Sequence, residues 1–120
     1  MITDPKQTAA VFGRLFNAGD VQGLLSLYEA DALFVTPDGQ EVRGVAGIRP
    51  VIEAFLALKA TMKIELRSCH VLGDLASISN SWTLTGGNAP PGFAGKTIEV
   101  LRRQADGTWR YIIDLPSGAS

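Results

Sequence analysis

The chain has 120 residues, 46% of them hydrophobic and 19% charged, and 11 Lys and Arg against 12 Asp and Glu leave a net charge of -1. That length makes a single domain over 1–120 with a core of its own, and the near-neutral balance offers neither a basic face for nucleic acid nor a polybasic patch for a membrane. One cysteine, Cys69, excludes an internal disulfide. The opening MITDPKQT lacks the basic start and apolar run of a signal peptide, and no apolar run approaches the roughly 20 residues that span a bilayer. The expectation is a cytoplasmic protein whose partner is a small molecule or a second copy of itself.

In chain order, Thr3 or Asp4 caps a first helix with Pro5 at its first position, and Val11, Phe12, Leu15 and Phe16 recur at helical spacing. Asn17-Ala18-Gly19 ends it. Asp20 caps a second, short helix with Leu24, Leu25, Leu27 and Tyr28 on its apolar side, and a strand from Leu33 to Thr36 runs into the Pro37-Asp38-Gly39 turn. A third helix carries Ile48, Val51, Ile52, Phe55 and Leu56 as its stripe, with Pro50 tolerated in the first turn. The expected helices are 4–18, 20–29 and 46–59. From Thr61 the period becomes two, which puts Met62, Ile64, Leu66, Ser68, His70 and Leu72 on one face and Cys69 on the other. After Gly73-Asp74 a second strand runs from Leu75 to Thr85, with Ile78, Asn80, Trp82 and Leu84 on one face and Ser77, Ser79, Ser81 and Thr83 opposite. The stretch 86–95, rich in Gly and Pro, is a flexible loop or lid. Helices first and four long antiparallel strands after them define an α+β fold with the helices gathered on one face of a curved sheet, which leaves a cavity.

KTIEVLRRQ, then ADGT, then WRYIIDLP closes the chain as a hairpin turning at Asp106-Gly107. In a two-residue turn, facing positions sum to 213, so Leu101 meets Ile112, Val100 meets Ile113, and Glu99 meets Asp114. Two opposed carboxylates destabilise an ordinary strand pair, and each raises the proton affinity of the other. A bulge at Gly107 shifts the register by one and separates them. Both registers fit the sequence.

The element order, with FNAGDVQGLLSLYEADALFVTPDG, GIRPVI and the closing DGTWRYIIDLP, resembles the SnoaL-like group of the nuclear transport factor 2-like superfamily over nearly the whole chain. The resemblance implies a cone of curved, mainly antiparallel sheet wrapped on three helices, a mostly apolar pocket, frequent dimerisation through the outer sheet face, and either cofactor-independent isomerase, dehydratase, cyclase or hydrolase activity or plain ligand binding. Anchored on Asn17-Ala18-Gly19-Asp20, a comparison with ketosteroid isomerase puts Phe12 where that enzyme has its oxyanion-hole tyrosine and Thr36 where it has its general-base aspartate. Glu99 falls on its hydrogen-bonding carboxylic acid. In SnoaL-like proteins an acidic residue following a tryptophan in the last strand commonly faces the cavity, as Asp114 follows Trp109.

The candidate catalytic residues are therefore Asp114 and Glu99 as an acid/base pair and His70 as a proton relay; the alternatives are ion pairs with Arg102, Arg103 or Arg110 and a core histidine held by Ser68, Asn80 or a backbone carbonyl. Trp82, Asn80, Phe12, Phe16, Phe34 and Thr36 are candidates to contact a small apolar ligand, although packing alone explains most of the aromatics. No HxH, HxxxH, CxxC or GxxxxGK[ST] occurs, so neither a metal nor a cofactor is expected. The homodimer is expected through a face made of Ser77, Ser79, Ser81 and Thr83 beside Trp109, Tyr111 and Ile113. The sequence leaves open an enzyme, a non-catalytic binder and a plugged dimerisation module.

Overall fold

In the computed structural model, which describes residues 1–119, six strands form one sheet in the order β2-β1-β6-β5-β4-β3. The strands are β1 (Tyr28–Val35), β2 (Glu41–Arg43), β3 (Thr61–Leu72), β4 (Leu75–Thr85), β5 (Ala94–Arg103) and β6 (Trp109–Ala119), and the helices are α1 (Thr8–Asn17), α2 (Val21–Leu25) and α3 (Gly44–Leu56). All neighbours run antiparallel except β1 and β6. The sheet does not close into a barrel. Its inner face packs on the helices around Phe16, Leu24, Ile48, Ile52, Ile78, Leu84 and Leu101. No helix is long and apolar enough to cross a membrane.

Local chemistry accounts for the helix boundaries and corrects several expected ones. Asp4 accepts from Lys6 N–H, and Pro5–Gln7 is a 3-10 turn before α1 begins at Thr8. Asp20 Oδ1 accepts from Gly23 N–H at 2.8 Å and caps α2. That helix ends at Leu25, so Tyr28 opens β1 instead of closing a helix. The expected strand start at Leu33 is five residues late, and β2 went unforeseen because three residues carry no periodicity. α3 starts at Gly44, which places Pro50 beyond the first turn and leaves the Ala46 carbonyl without its usual donor.

Three irregularities decide which side chains enter the cone. The last hairpin turns through Ala105, Asp106 and Gly107, with Gln104 N–H bonded to Thr108 O at 2.7 Å and Gly107 at φ 86°. This three-residue loop with a left-handed last residue sets facing positions that sum to 212, as in Leu101 opposite Tyr111. A bulge at Ile112 then restores 213, so Val100 meets Ile113 and Glu99 meets Asp114. The two offsets cancel. The expected Leu101–Ile112 pair is lost, the Glu99–Asp114 pair forms, and Tyr111 turns inward with Asp114. The third irregularity is in β3, where Arg67 is the extra residue between the Leu66–Asn80 and Ser68–Ser79 pairs.

At its start, the edge strand β3 is held by Asn17, whose Nδ2 donates to Met62 O at 3.0 Å while its Oδ1 accepts from Met62 N–H at 2.8 Å.

Candidate active site

Inside the cone the chain buries a cluster of polar groups with no cation among them. Glu99 and Asp114, each 4% exposed, sit on facing positions of β5 and β6. The Tyr28 hydroxyl donates to Asp114 Oδ2 at 2.5 Å, and the rings of Tyr28 and Tyr111 pack with centroids 5.0 Å apart. Thr97 Oγ1 accepts from Asn80 N–H at 2.8 Å and donates to Glu99 Oε1 at 2.7 Å. Asn80 Nδ2 donates to the same oxygen at 3.2 Å and to Thr8 Oγ1 at 3.1 Å. Among the described residues three buried side-chain atoms stay unengaged, and two of them, Asn80 Oδ1 and the Tyr111 hydroxyl, belong to this cluster; the third is Arg110 Nε. Tyr111 lies near enough to Glu99 for each to shift the other's proton affinity, yet outside good hydrogen-bond geometry.

Burial dominates the electrostatics. It pushes the Glu99 carboxyl up to about 8, helped by the Asp114 charge and opposed by the hydrogen bonds it accepts. Burial also raises Asp114, to about 6, with the Tyr28 hydrogen bond pulling the other way. Both tyrosines are raised well above their ordinary value, first by burial and then by the neighbouring carboxylates. At neutral pH the pair therefore holds about one proton and one negative charge between its two carboxyls.

Asp114 borders a cavity of about 40 Å³ whose other walls are Phe12, Phe16, Phe34, Ile52, Phe55, Met62, Trp82, Leu84 and Pro116. That volume accommodates a few water molecules. Asp114 is its one ionisable wall. The Trp82 indole N–H is already engaged, donating to Pro116 O at 2.7 Å where the β5–β6 ladder is interrupted. Among the described residues no group of three or more His, Cys, Asp or Glu side chains is arranged to hold a metal ion.

The structure gathers some of the candidate residues and disperses others. Phe12, Phe16, Phe34 and Trp82 line the cavity with Asp114. Asn80 is fully buried behind it, against Glu99 and Thr8. His70 is not in the cone: the extra residue at Arg67 reverses the alternation of β3, so Cys69 packs against the core while His70 is exposed on the outer face beside Leu75 and Ser77. Thr36 also lies outside the cavity, its hydroxyl engaged with Asp38 and the Gln40 backbone in the β1–β2 turn. The ion-pair alternative fails as well, because Arg102 pairs with Glu29, Arg103 pairs with Asp74, and Arg110 forms no ion pair among the described residues. Sequence reading put Tyr28 on the apolar side of a helix and missed Tyr111, Thr97 and Thr8. Nothing local marked Tyr28 as the start of a strand, and the bulge that turns Tyr111 inward has no sequence signature.

An open cone of mixed sheet on three helices, with a buried carboxylate facing a small apolar cavity, defines a class of small α+β proteins. The SnoaL-like domain family model matches residues 9–112, and the chain belongs to that family. A comparison with curated proteins returns no match. Among solved structures, an NTF2-like protein with a cystatin-like fold from Novosphingobium aromaticivorans superposes with a TM-score of 0.78 at 18% identity, covering 96% of this chain and 81% of that one. A ketosteroid isomerase-like protein from Erwinia carotovora atroseptica gives 0.70 at 18%, covering 96% and 94%. A de novo designed protein with a curved β-sheet gives 0.72 at 16%, covering 96% and 100%. Likeness at these identities shows the fold alone.

Proposed function

We propose that the protein is a cofactor-independent acid/base catalyst acting on a small apolar or cyclic carbonyl compound, with Asp114 as the group that meets the substrate. The observation that carries this is Asp114 as the single ionisable side chain on an otherwise apolar cavity. With its carboxyl near 6 it is largely ionised at neutral pH, and a desolvated carboxylate is a competent base toward a carbon acid. Glu99, largely protonated, lets Asp114 carry the charge of the pair alone. The proton taken from the carbon beside the carbonyl returns at another position in an isomerisation, or accompanies loss of a hydroxyl group as water in a dehydration. His70 and Thr36 have no part in it.

The test is the conversion of a β,γ-unsaturated cyclic ketone to its conjugated isomer, followed by ultraviolet absorbance. Turnover should rise through about 6, fall through about 8, and drop at least a hundredfold in Asp114→Asn. Turnover unchanged in Asp114→Asn rules the proposal out. A second reading, an apolar-ligand binder without chemistry, is favoured by the smallness of the cavity and the engaged Trp82 indole; it predicts binding without turnover.

A homodimer through the outer sheet face is part of the proposal. Trp109 and Tyr111, expected on that face, are buried in the cone. The outward apolar groups are instead Ile98, Val100, Ile113 and Leu115, next to Ser77, Ser79 and Ser81 of β4.

A further inference from the structure

Outside the cone, α3, the β1–β2 turn and the 86–93 loop form a surface groove of about 500 Å³, lined by Pro37, Ala54, Phe55, Leu58, Pro90 and Phe93 among others, with no charged residue in its walls. Phe55 also lines the inner cavity, so one side chain separates the two spaces. Phe93 stacks on Phe55 with centroids 6.3 Å apart and meets Trp82 edge-on at 5.3 Å. Trp82 in turn lines the cavity beside Asp114. Three aromatic rings thus make up the partition, with Trp82 on the cavity side, Phe93 on the groove side and Phe55 reaching both.

The main chain around Phe93 is anchored. Its carbonyl accepts from Leu84 N–H at 2.9 Å, and Asn88 N–H donates to Leu58 O at 2.7 Å. Gly87, at φ 51°, approaches α3 so closely that a Cβ there would meet the Leu58 and Lys59 carbonyl oxygens at 2.3 Å. Opening therefore falls to rotation of the Phe93 side chain, which is only half-buried, on a loop whose ends stay in place.

From this we infer a ligand of elongated, amphipathic shape: a hydroxyl- or ketone-bearing head that passes the Phe55–Phe93 partition to reach Asp114, and an apolar body that remains in the groove. The inference rests on Asp114 being the ligand-facing group. A cavity of about 40 Å³ is too small for a whole metabolite, whereas sites for drug-sized ligands run to roughly 300–1,000 Å³. The groove, at about 500 Å³, supplies the volume that the inner cavity lacks. Apolar walls without a charge select hydrocarbon, and the single carboxylate selects a head able to donate a hydrogen bond or lose a proton.

Straight-chain primary alcohols from butanol to octanol provide the probe, with binding followed on the Trp82 indole N–H resonance by two-dimensional NMR. Affinity should increase about three- to fourfold for each added methylene, and the Trp82 resonance should move as Phe93 leaves it. Ala54→Glu, an exposed helical position in the groove wall, should abolish the methylene increment while leaving the Glu99 and Asp114 titrations as in the parent. Asp114→Asn should weaken every member of the series by one common factor. Affinity independent of chain length, or Ala54→Glu binding octanol as the parent does, overturns the proposal. If the increment persists but Asp114→Asn changes nothing, the head is not at Asp114 and the reading of that residue fails while the groove survives. Dissociation of the protein into monomers by Ala54→Glu, seen by light scattering, shows that a second copy covers the groove and likewise overturns it.

Discussion

Tyr28 and Asp114 are joined by a 2.5 Å hydrogen bond from the tyrosine hydroxyl to Oδ2, linking the first residue of β1 to β6 across the parallel junction of the sheet. The bond stabilises the ionised carboxylate in a place where burial opposes it. Tyr28→Phe leaves a buried carboxylate short of a donor, so the Asp114 carboxyl should titrate above its parent value. Unfolding in urea should register a loss of about 1–3 kcal/mol. A Tyr28→Phe protein with parental stability and an unmoved Asp114 carboxyl resonance would show the bond to be without energetic weight.

Removing the Asp114 charge should relax Glu99. Burial is the larger cause of its raised pKa and the Asp114 charge the second, so in Asp114→Asn the Glu99 carboxyl should titrate below about 8 yet remain above the ordinary range. Asp106→Asn, in the exposed turn, is the control and should leave Glu99 where it was. Carboxyl-carbon NMR reads both. If Glu99 does not move in Asp114→Asn, the two groups do not titrate together.

The raised carboxyls also fix how stability varies with pH. Glu99 near 8 and Asp114 near 6 bind protons more tightly folded than unfolded, where carboxyls titrate near 4. The native state therefore holds more protons between these limits, and stability falls as pH rises. The contribution is complete below about pH 4 and is lost on passing 6 and then 8, at about 1.4 kcal/mol per pH unit for each group protonated only in the native state. Thermal melting should give a Tm several degrees higher at pH 5.5 than at pH 8.5. Glu99→Gln, which keeps an acceptor for Thr97 and Asn80, should flatten that slope; a slope as steep as the parent's would assign it to other groups.

On the outer sheet face, Ile98→Asp should separate the proposed dimer. Ile98 is 39% exposed, so the substitution costs the single chain little, whereas a charge at the centre of an apolar interface costs several kcal/mol unless it is paired. Light scattering should return about twice 12.8 kDa for the parent and 12.8 kDa for the variant. A monomeric parent at micromolar concentration removes the dimer from the proposal.

How far the sequence carried depended on whether a feature was local and periodic. The four long strands and the inward aromatics Phe12, Phe16 and Trp82 followed from period and turn chemistry, which read directly from residue types. Facing of Glu99 and Asp114 was legible only as one of two registers. It forms here because the bulge at Ile112 undoes the offset introduced at Gly107; the glycine hinted at that offset, and no side chain announces the bulge. His70 shows the cost of one unseen residue, since every position after Arg67 changes face. Tyr28 reaches Asp114 through a parallel pairing between strands 86 residues apart, a non-local contact that no window of sequence contains.

Asn17 has a bearing on how the protein behaves in a crowded solution. β3 ends the sheet, and a free edge twelve residues long is a template on which a foreign chain can add itself, rung by rung. The Asn17 amide gives and takes at Met62 what an incoming strand would, and the extra residue at Arg67 breaks the pleat further on, so the edge is cut into two short runs, 63–66 and 68–72. The fold thus guards its own boundary against fibril growth, and losing that one amide would be felt first in shelf life and solubility, ahead of any change inside the cone.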